Sequence, residues 1–193
     1  MIILRIGRSV IIDANTYLKE GMRASNLVEY KNERYLDLTL DLVKNYDDII
    51  VCGRDYDILE KYKKFDMKDL DTRLILSLYE GLKRIKNSKA LLISINMPLL
   101  EKKLLEHMGR ITFSEDILIA FANRKIQKLC AVYDKSIITY LEKMIDEKNM
   151  NFNRLLDEVS VRYIFPKREE SFISVELLEK YLILKEKELY NKI

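Results

Sequence analysis

The chain has 193 residues, with 34 basic against 31 acidic side chains and a net charge of +3. That length builds one domain with a sizeable core and, with no Pro/Gly/Ser-rich linker, a single unit over 1–193 is expected. Charges of both signs are mixed along the chain, which argues against a nucleic-acid or membrane-surface partner. The two cysteines, Cys52 and Cys130, lie in apolar runs without metal-ligand spacing, which argues against zinc or a disulfide framework and suits a reducing cytoplasm. No apolar run approaches the length of a membrane span, and the N-terminus lacks a signal layout, so an unexported, soluble protein is expected.

In chain order the apolar pattern alternates strand and helix. A strand is expected over 1–6, a helix over 36–44 from the spacing of Leu36, Leu40 and Val43, and a strand over 48–52 closed by Gly53. Leu74, Leu78 and Leu82 mark a helix over 71–85, and the run 90–95 reads as a strand buried on both faces. This strand leads through Asn96 and Pro98 into a helix over 102–108. Strands over 116–121 and 128–133, joined by the turn-like 122–125, predict an antiparallel hairpin. A helix over 136–147, a short helix over 152–156, a strand over 159–165 and a helix over 174–190 complete the pattern. Consecutive βαβ units predict a three-layer α/β domain, with a mostly parallel, Rossmann-like sheet and an antiparallel edge hairpin. In such sheets ligands gather at the carboxyl ends of the strands, and there Asn96 places an amide where metal chemistry would use a carboxylate.

The order of these parts resembles the molybdenum cofactor guanylyltransferase (MobA-type) branch of the nucleotidyltransferase fold. The resemblance runs from 2–9 through 48–55 and 90–100 to 130–133 and the helix that follows, nearly the whole chain. It implies a glycine-rich loop whose amides and cation cradle a nucleotide triphosphate, GTP in this family. In this register Gly7, Arg8 and Ser9 match the loop, with Gly53 also on the nucleotide. Residues 10–20 read as an insertion, and Asn26 stands where the family has a phosphate-binding Lys. Arg8 and Arg23 are the implied catalytic cations. Nucleotidyl transfer uses Mg²⁺ to bridge phosphates, and the resemblance assigns that ion to Asp66 and Asn96. Arg73-Leu74-Ile75 replaces a Gly-Pro-Leu, which puts a large cation where the family brings backbone close.

The implied reaction moves GMP from GTP to a pterin cofactor's phosphate. The accumulated replacements equally suit a catalytically degenerate relative that binds a nucleotide or a protein partner. A third reading, a metal-dependent nuclease of the PIN type, follows from Val10-Ile11-Ile12-Asp13, a strand ending in a carboxylate, but 94–96 offers no second carboxylate.

Overall fold

The computed structural model describes residues 6–14, 29–30, 33–53, 62, 65, 69–175, 177 and 178. In chain order the elements are β1 (Ile6–Asp13), the short antiparallel pair β2 (Glu29–Tyr30) and β3 (Glu33–Arg34), α1 (Tyr35–Val43), β4 (Tyr46–Cys52), α2 (Leu70–Arg84), β5 (Lys89–Ser94), α3 (Lys102–Arg110), β6 (Ile117–Ala122), β7 (Lys125–Asp134), α4 (Ile138–Asp146), α5 (Phe152–Glu158) and β8 (Val161–Ile164).

The sheet is organised around Val10-Ile11-Ile12, a β-branched run that favours extended backbone and is fully buried in β1. β4 and β5 flank it in parallel, with Ile11 opposite both Ile50 and Leu92. The six strands lie in the order β4-β1-β5-β7-β6-β8. β7 alone runs antiparallel to its neighbours, and β8 pairs parallel with β6 outside the hairpin. The hairpin turn is Asn123-Arg124, both at positive φ (52° and 59°), the left-handed pair that matches strand twist in a two-residue loop.

Strand alternation divides the core between two faces. Ile11, Leu92, Ala131 and Tyr133 point to the side covered by α2, α4 and α5, whereas Val10, Ile12, Leu91, Ile93 and Val132 point to α1 and α3. α2 packs closely against β1 at one glycine. A Cβ on its Gly81 would meet Ile11 side-chain carbons at 2.6–2.8 Å, so the missing side chain lets the helix settle directly on β1. Asp69 caps α2 by accepting from the Thr72 N–H, and Lys83 and Arg84 complement the dipole at the other end.

Most predicted elements stand within a few residues of their observed bounds. The strand expected over 1–6 lies, but for Ile6, outside the described residues, and the first described strand is Ile6–Asp13. Residues 10–13 are therefore the central strand rather than part of an insertion, because their side chains fill both cores between β4 and β5. The last helix, expected over 174–190, lies outside the described residues beyond Leu178.

Candidate functional site

Moving the first strand changes which end of the sheet each sequence-predicted residue occupies. Gly7, Arg8 and Ser9 fall in the amino half of β1, whereas Gly53 and Asn96 follow the carboxyl ends of β4 and β5. The structure therefore does not bring the two groups together. Asp66 and Arg23 lie outside the described residues.

At the amino end the polar groups interlock with the scaffold. The Arg8 guanidinium donates to the carbonyls of Met108 (3.4 Å) and Ile111 at the end of α3, where a cation offsets the helix dipole. It also lies 5.1 Å from the centre of the Phe113 ring, whose neighbour Lys89 sits at 4.1 Å. Burial lowers the Arg8 pKa, which marks how far this cation has been drawn from water. The Ser9 hydroxyl donates to Asp48 Oδ1 and accepts from the Asn87 backbone N–H (3.3 Å) and side-chain amide (3.2 Å). Gly7 is exposed, and a Cβ there would meet Asp47 Oδ2 at 3.9 Å, an ordinary van der Waals distance among the described residues.

The carboxyl end differs in the groups it gathers. The chain passes from β1 through α1 on one face to β4, then returns through α2 on the other face to β5, so the flanking connections diverge around the end of β1. Open α/β sheets bind ligands at divergences of this kind. Asp13, fully buried, ends β1 between Cys52 and Ser94 in register. Alternation turns these three side chains toward α2. Burial, followed by the charge of Asp13, pushes the Cys52 thiol up to about 12, which leaves it neutral and unreactive. The turn after β5 is fixed by hydrogen bonds from the Ile95 N–H to the Asp13 carbonyl (3.1 Å) and from the Asn96 N–H to Ser94 Oγ (3.2 Å). The Asn96 carbonyl then accepts from the Val175 N–H at 2.9 Å, tying the C-terminal segment to the same turn.

α2 and α5 begin at this end of the sheet, and a cleft of about 570 Å³ lies between them, lined by Asp69, Asp71, Thr72, Met150 and Asn151. Burial works to raise the Asp69 carboxyl, but bonds from Thr72 and the charges of Lys128 and Arg73 hold it below its ordinary value. Asp71 is occupied by Lys128 and by the Phe152 N–H (2.9 Å).

Sequence reasoning placed Asn96 at the exit of the strand, where the structure has it, and did not single out Ser94 or Ser77. Asp13 entered only through the nuclease reading. The signal was available, because Asp13 and Ser94 each close a run of buried apolar residues on adjacent parallel strands.

No family model matches the chain. It is 23% identical over 182 residues to a Clostridium perfringens protein named "Probable molybdenum cofactor guanylyltransferase", covering 86% of this chain and 90% of that one. Among solved structures, the molybdopterin-guanine dinucleotide biosynthesis protein A of Archaeoglobus fulgidus superposes with a TM-score of 0.68 at 18% identity, covering 86% of this chain and 91% of that one. The 4-diphosphocytidyl-2C-methyl-D-erythritol synthase of Anaerococcus prevotii superposes at 0.65 with 21% identity, covering 92% and 93%. The fold is that of the nucleotidyltransferases. No helix among the described residues is long and apolar enough to cross a membrane.

Proposed function

We propose that the protein is a nucleotidyltransferase of the molybdenum cofactor guanylyltransferase type, moving GMP from GTP to a pterin phosphate at the carboxyl ends of β1, β4 and β5. The observation that carries this reading is the gathering of Asp13, Gly53, Ser94 and Asn96 at the carboxyl ends of three adjacent parallel strands. The curated relatives of the same name support the choice of substrate class.

The donor set fits a hard divalent cation. Mg²⁺ asks the protein for only one or two oxygen ligands and takes the rest from phosphates and water. Asp13 offers a carboxylate and Asn96 an amide oxygen, and no group of three or more His, Cys, Asp or Glu ligands exists among the described residues. Asp66, the other ligand the resemblance implies, belongs to the same reading. When bound, the ion supplies charge neutralisation between phosphate oxygens. The chain's own contribution is to hold the nucleotide over β1 and to fix the Asn96 turn through Ser94 and Val175. It thereby sets the α-phosphorus in line between the attacking pterin phosphate and the departing pyrophosphate.

Asn96 also favours a second reading, a relative that binds the nucleotide without turning it over, since a neutral amide ligates Mg²⁺ more weakly than a carboxylate. Thermal shift with GTP, ATP, CTP and UTP, each with and without Mg²⁺, tests both through mass action on the folded state. A GTP-selective, Mg²⁺-dependent rise is expected and leads to an assay of pyrophosphate release with a pterin phosphate. Binding without release supports the second reading. No shift at millimolar nucleotide overturns both.

A further inference from the structure

We propose that a second copy of this chain docks on the open edge of β8, so that two molecules join antiparallel, β8 to β8, about a twofold axis at Tyr163. The surface lies away from β1, β4 and β5 and is independent of the nucleotide reading.

β8 ends the six-stranded sheet, with β6 on one side of it. The Ser160 carbonyl accepts from the Asp116 and Ile117 N–H groups, both at 3.1 Å, and so faces β6. Peptide groups along a strand point alternately to its two sides, which turns the N–H and C=O of Val161 and Tyr163 toward the open edge. An edge of that kind is a template for another strand. It is also aromatic: Phe165 is 75% exposed, Tyr163 46% and Phe121 37%, with the Phe121 and Phe165 rings 5.9 Å apart between centres. Exposed aromatics gathered on one edge mark an interaction surface.

The flanking charges identify the occupant. Asp157-Glu158 precede the strand and Lys167-Arg168 follow it, all exposed and at similar distances along the chain from Tyr163. Arg168 already holds Glu101 and Glu170, whereas Asp157, Glu158 and Lys167 form no ion pair among the described residues. An antiparallel copy sets each acidic pair beside the other copy's basic pair, and a parallel copy would set like charges together. With the axis at Tyr163, this residue faces its own equivalent and Val161 faces Phe165 of the second copy, which uses the outward backbone groups in about six hydrogen bonds. Moving the axis to Arg162 would set two guanidinium groups directly opposite, a like-charge pair that destabilises a ladder. Pro166 has no N–H to donate and ends the pairing. The contact is isologous, so it closes at two copies instead of growing into a fibre.

Sedimentation velocity of the whole chain, from about 1 to about 200 µM, tests this by mass action. The wild type is expected to pass from the 23.0 kDa monomer to a species of twice that mass. Phe165→Glu should weaken the dimer about thirtyfold without lowering the melting temperature of the monomer. Glu158→Lys and Lys167→Glu should each weaken it about tenfold, because each sets like charges together at both ends of the contact. Mixed in equal amounts, these two charge variants should recover the wild-type affinity as a heterodimer, identified by native mass spectrometry with one variant isotope-labelled. A folding defect in either variant would not produce that recovery. A wild type that stays monomeric throughout the range overturns the proposal. So does a dimer that Phe165→Glu or either charge reversal leaves intact, or a mixture whose two variants remain apart. Should Phe165→Glu fail to fold, the mixed charge variants decide the matter.

Discussion

The two ends of the central sheet treat polar groups in opposite ways. At the amino end each one is tied to the scaffold: Arg8 to the last carbonyls of α3, Ser9 to Asp48 and Asn87, and Lys89 to Asp134 at 2.7 Å. At the carboxyl end Asp13, Ser94, Asn96 and Ser77 are buried as deeply, Ser94 Oγ accepts from the Asn96 N–H, and the Ser77 hydroxyl has no hydrogen-bond partner among the described residues. Polar residues that close on one another stabilise a fold, and a buried polar group left without a partner calls for an explanation. The two ends of a single eight-residue strand, β1, thus differ in how completely their polar groups are satisfied.

The sharpest way to break that comparison is Arg8→Ala. If the amino end is scaffold, losing the guanidinium orphans the Met108 and Ile111 carbonyls at a cost of about 2 kcal/mol. For a chain of this size that lowers the melting temperature by roughly 4–8 °C. The GTP-induced shift should persist, and its loss without a change in melting temperature would return the nucleotide to the Gly7–Ser9 segment.

Asn96→Asp sharpens the opposite end. It adds the carboxylate that a divalent ion prefers and should tighten GTP about tenfold in Mg²⁺, roughly 1.4 kcal/mol, with no gain in EDTA. Equal gains in both conditions would show that the ion does not sit on this turn. Ser77→Ala should act in the other direction on stability. Removing an unpaired buried hydroxyl is expected to raise stability by about 1 kcal/mol while weakening nucleotide binding. A destabilised variant would mean that the hydroxyl already serves the fold.

The smallest effect concerns the acid limb of stability. Hydrogen bonds from the Ser160 hydroxyl, then from the Ser160 N–H and Ser136, hold the Asp116 carboxyl below its ordinary value against the opposing effect of burial. A depressed carboxyl contributes stability above its unfolded value of about 3.9, and that contribution disappears as pH falls through the lower folded value. Melting temperature should therefore fall below about pH 4, and Asp116→Asn should flatten that limb. An unchanged limb would assign the acid sensitivity to other carboxylates such as Asp69 or Asp134, which are also held low.

Much of the architecture was legible in residue order. The 90–95 run and the leucines of 71–85 were read within a residue or two of β5 and α2, because burial imposes a period that a helix or strand must match. The hairpin was legible from its polar link between apolar runs, although its place was not: β8 adds outside β6, a neighbour separated from it in the chain by β7, α4 and α5, which periodicity does not reveal. The reading of residues 10–20 as an insertion failed over 10–13 for a related reason. Ile2-Ile3-Leu4 is as apolar as Val10-Ile11-Ile12, and Gly7 makes a plausible strand end, so pattern alone did not pick out 10–13 as central strand. That places Gly7, Arg8 and Ser9 in the amino half of β1, away from Gly53 and Asn96.

The sequence by itself determined the alternation of elements, the buried runs and the amide at Asn96, because each depends on local spacing and on the hydrophobicity of neighbouring residues. Only the tertiary structure decided that Arg8 and Ser9 bond to the scaffold at one end of β1 while Asp13 and Ser94 lie side by side at the other, and that Gly81 seats α2 on Ile11. These are matters of register between strands and helices far apart in the chain, fixed by the mutual packing of β1, β4, β5 and α2 rather than by any local pattern.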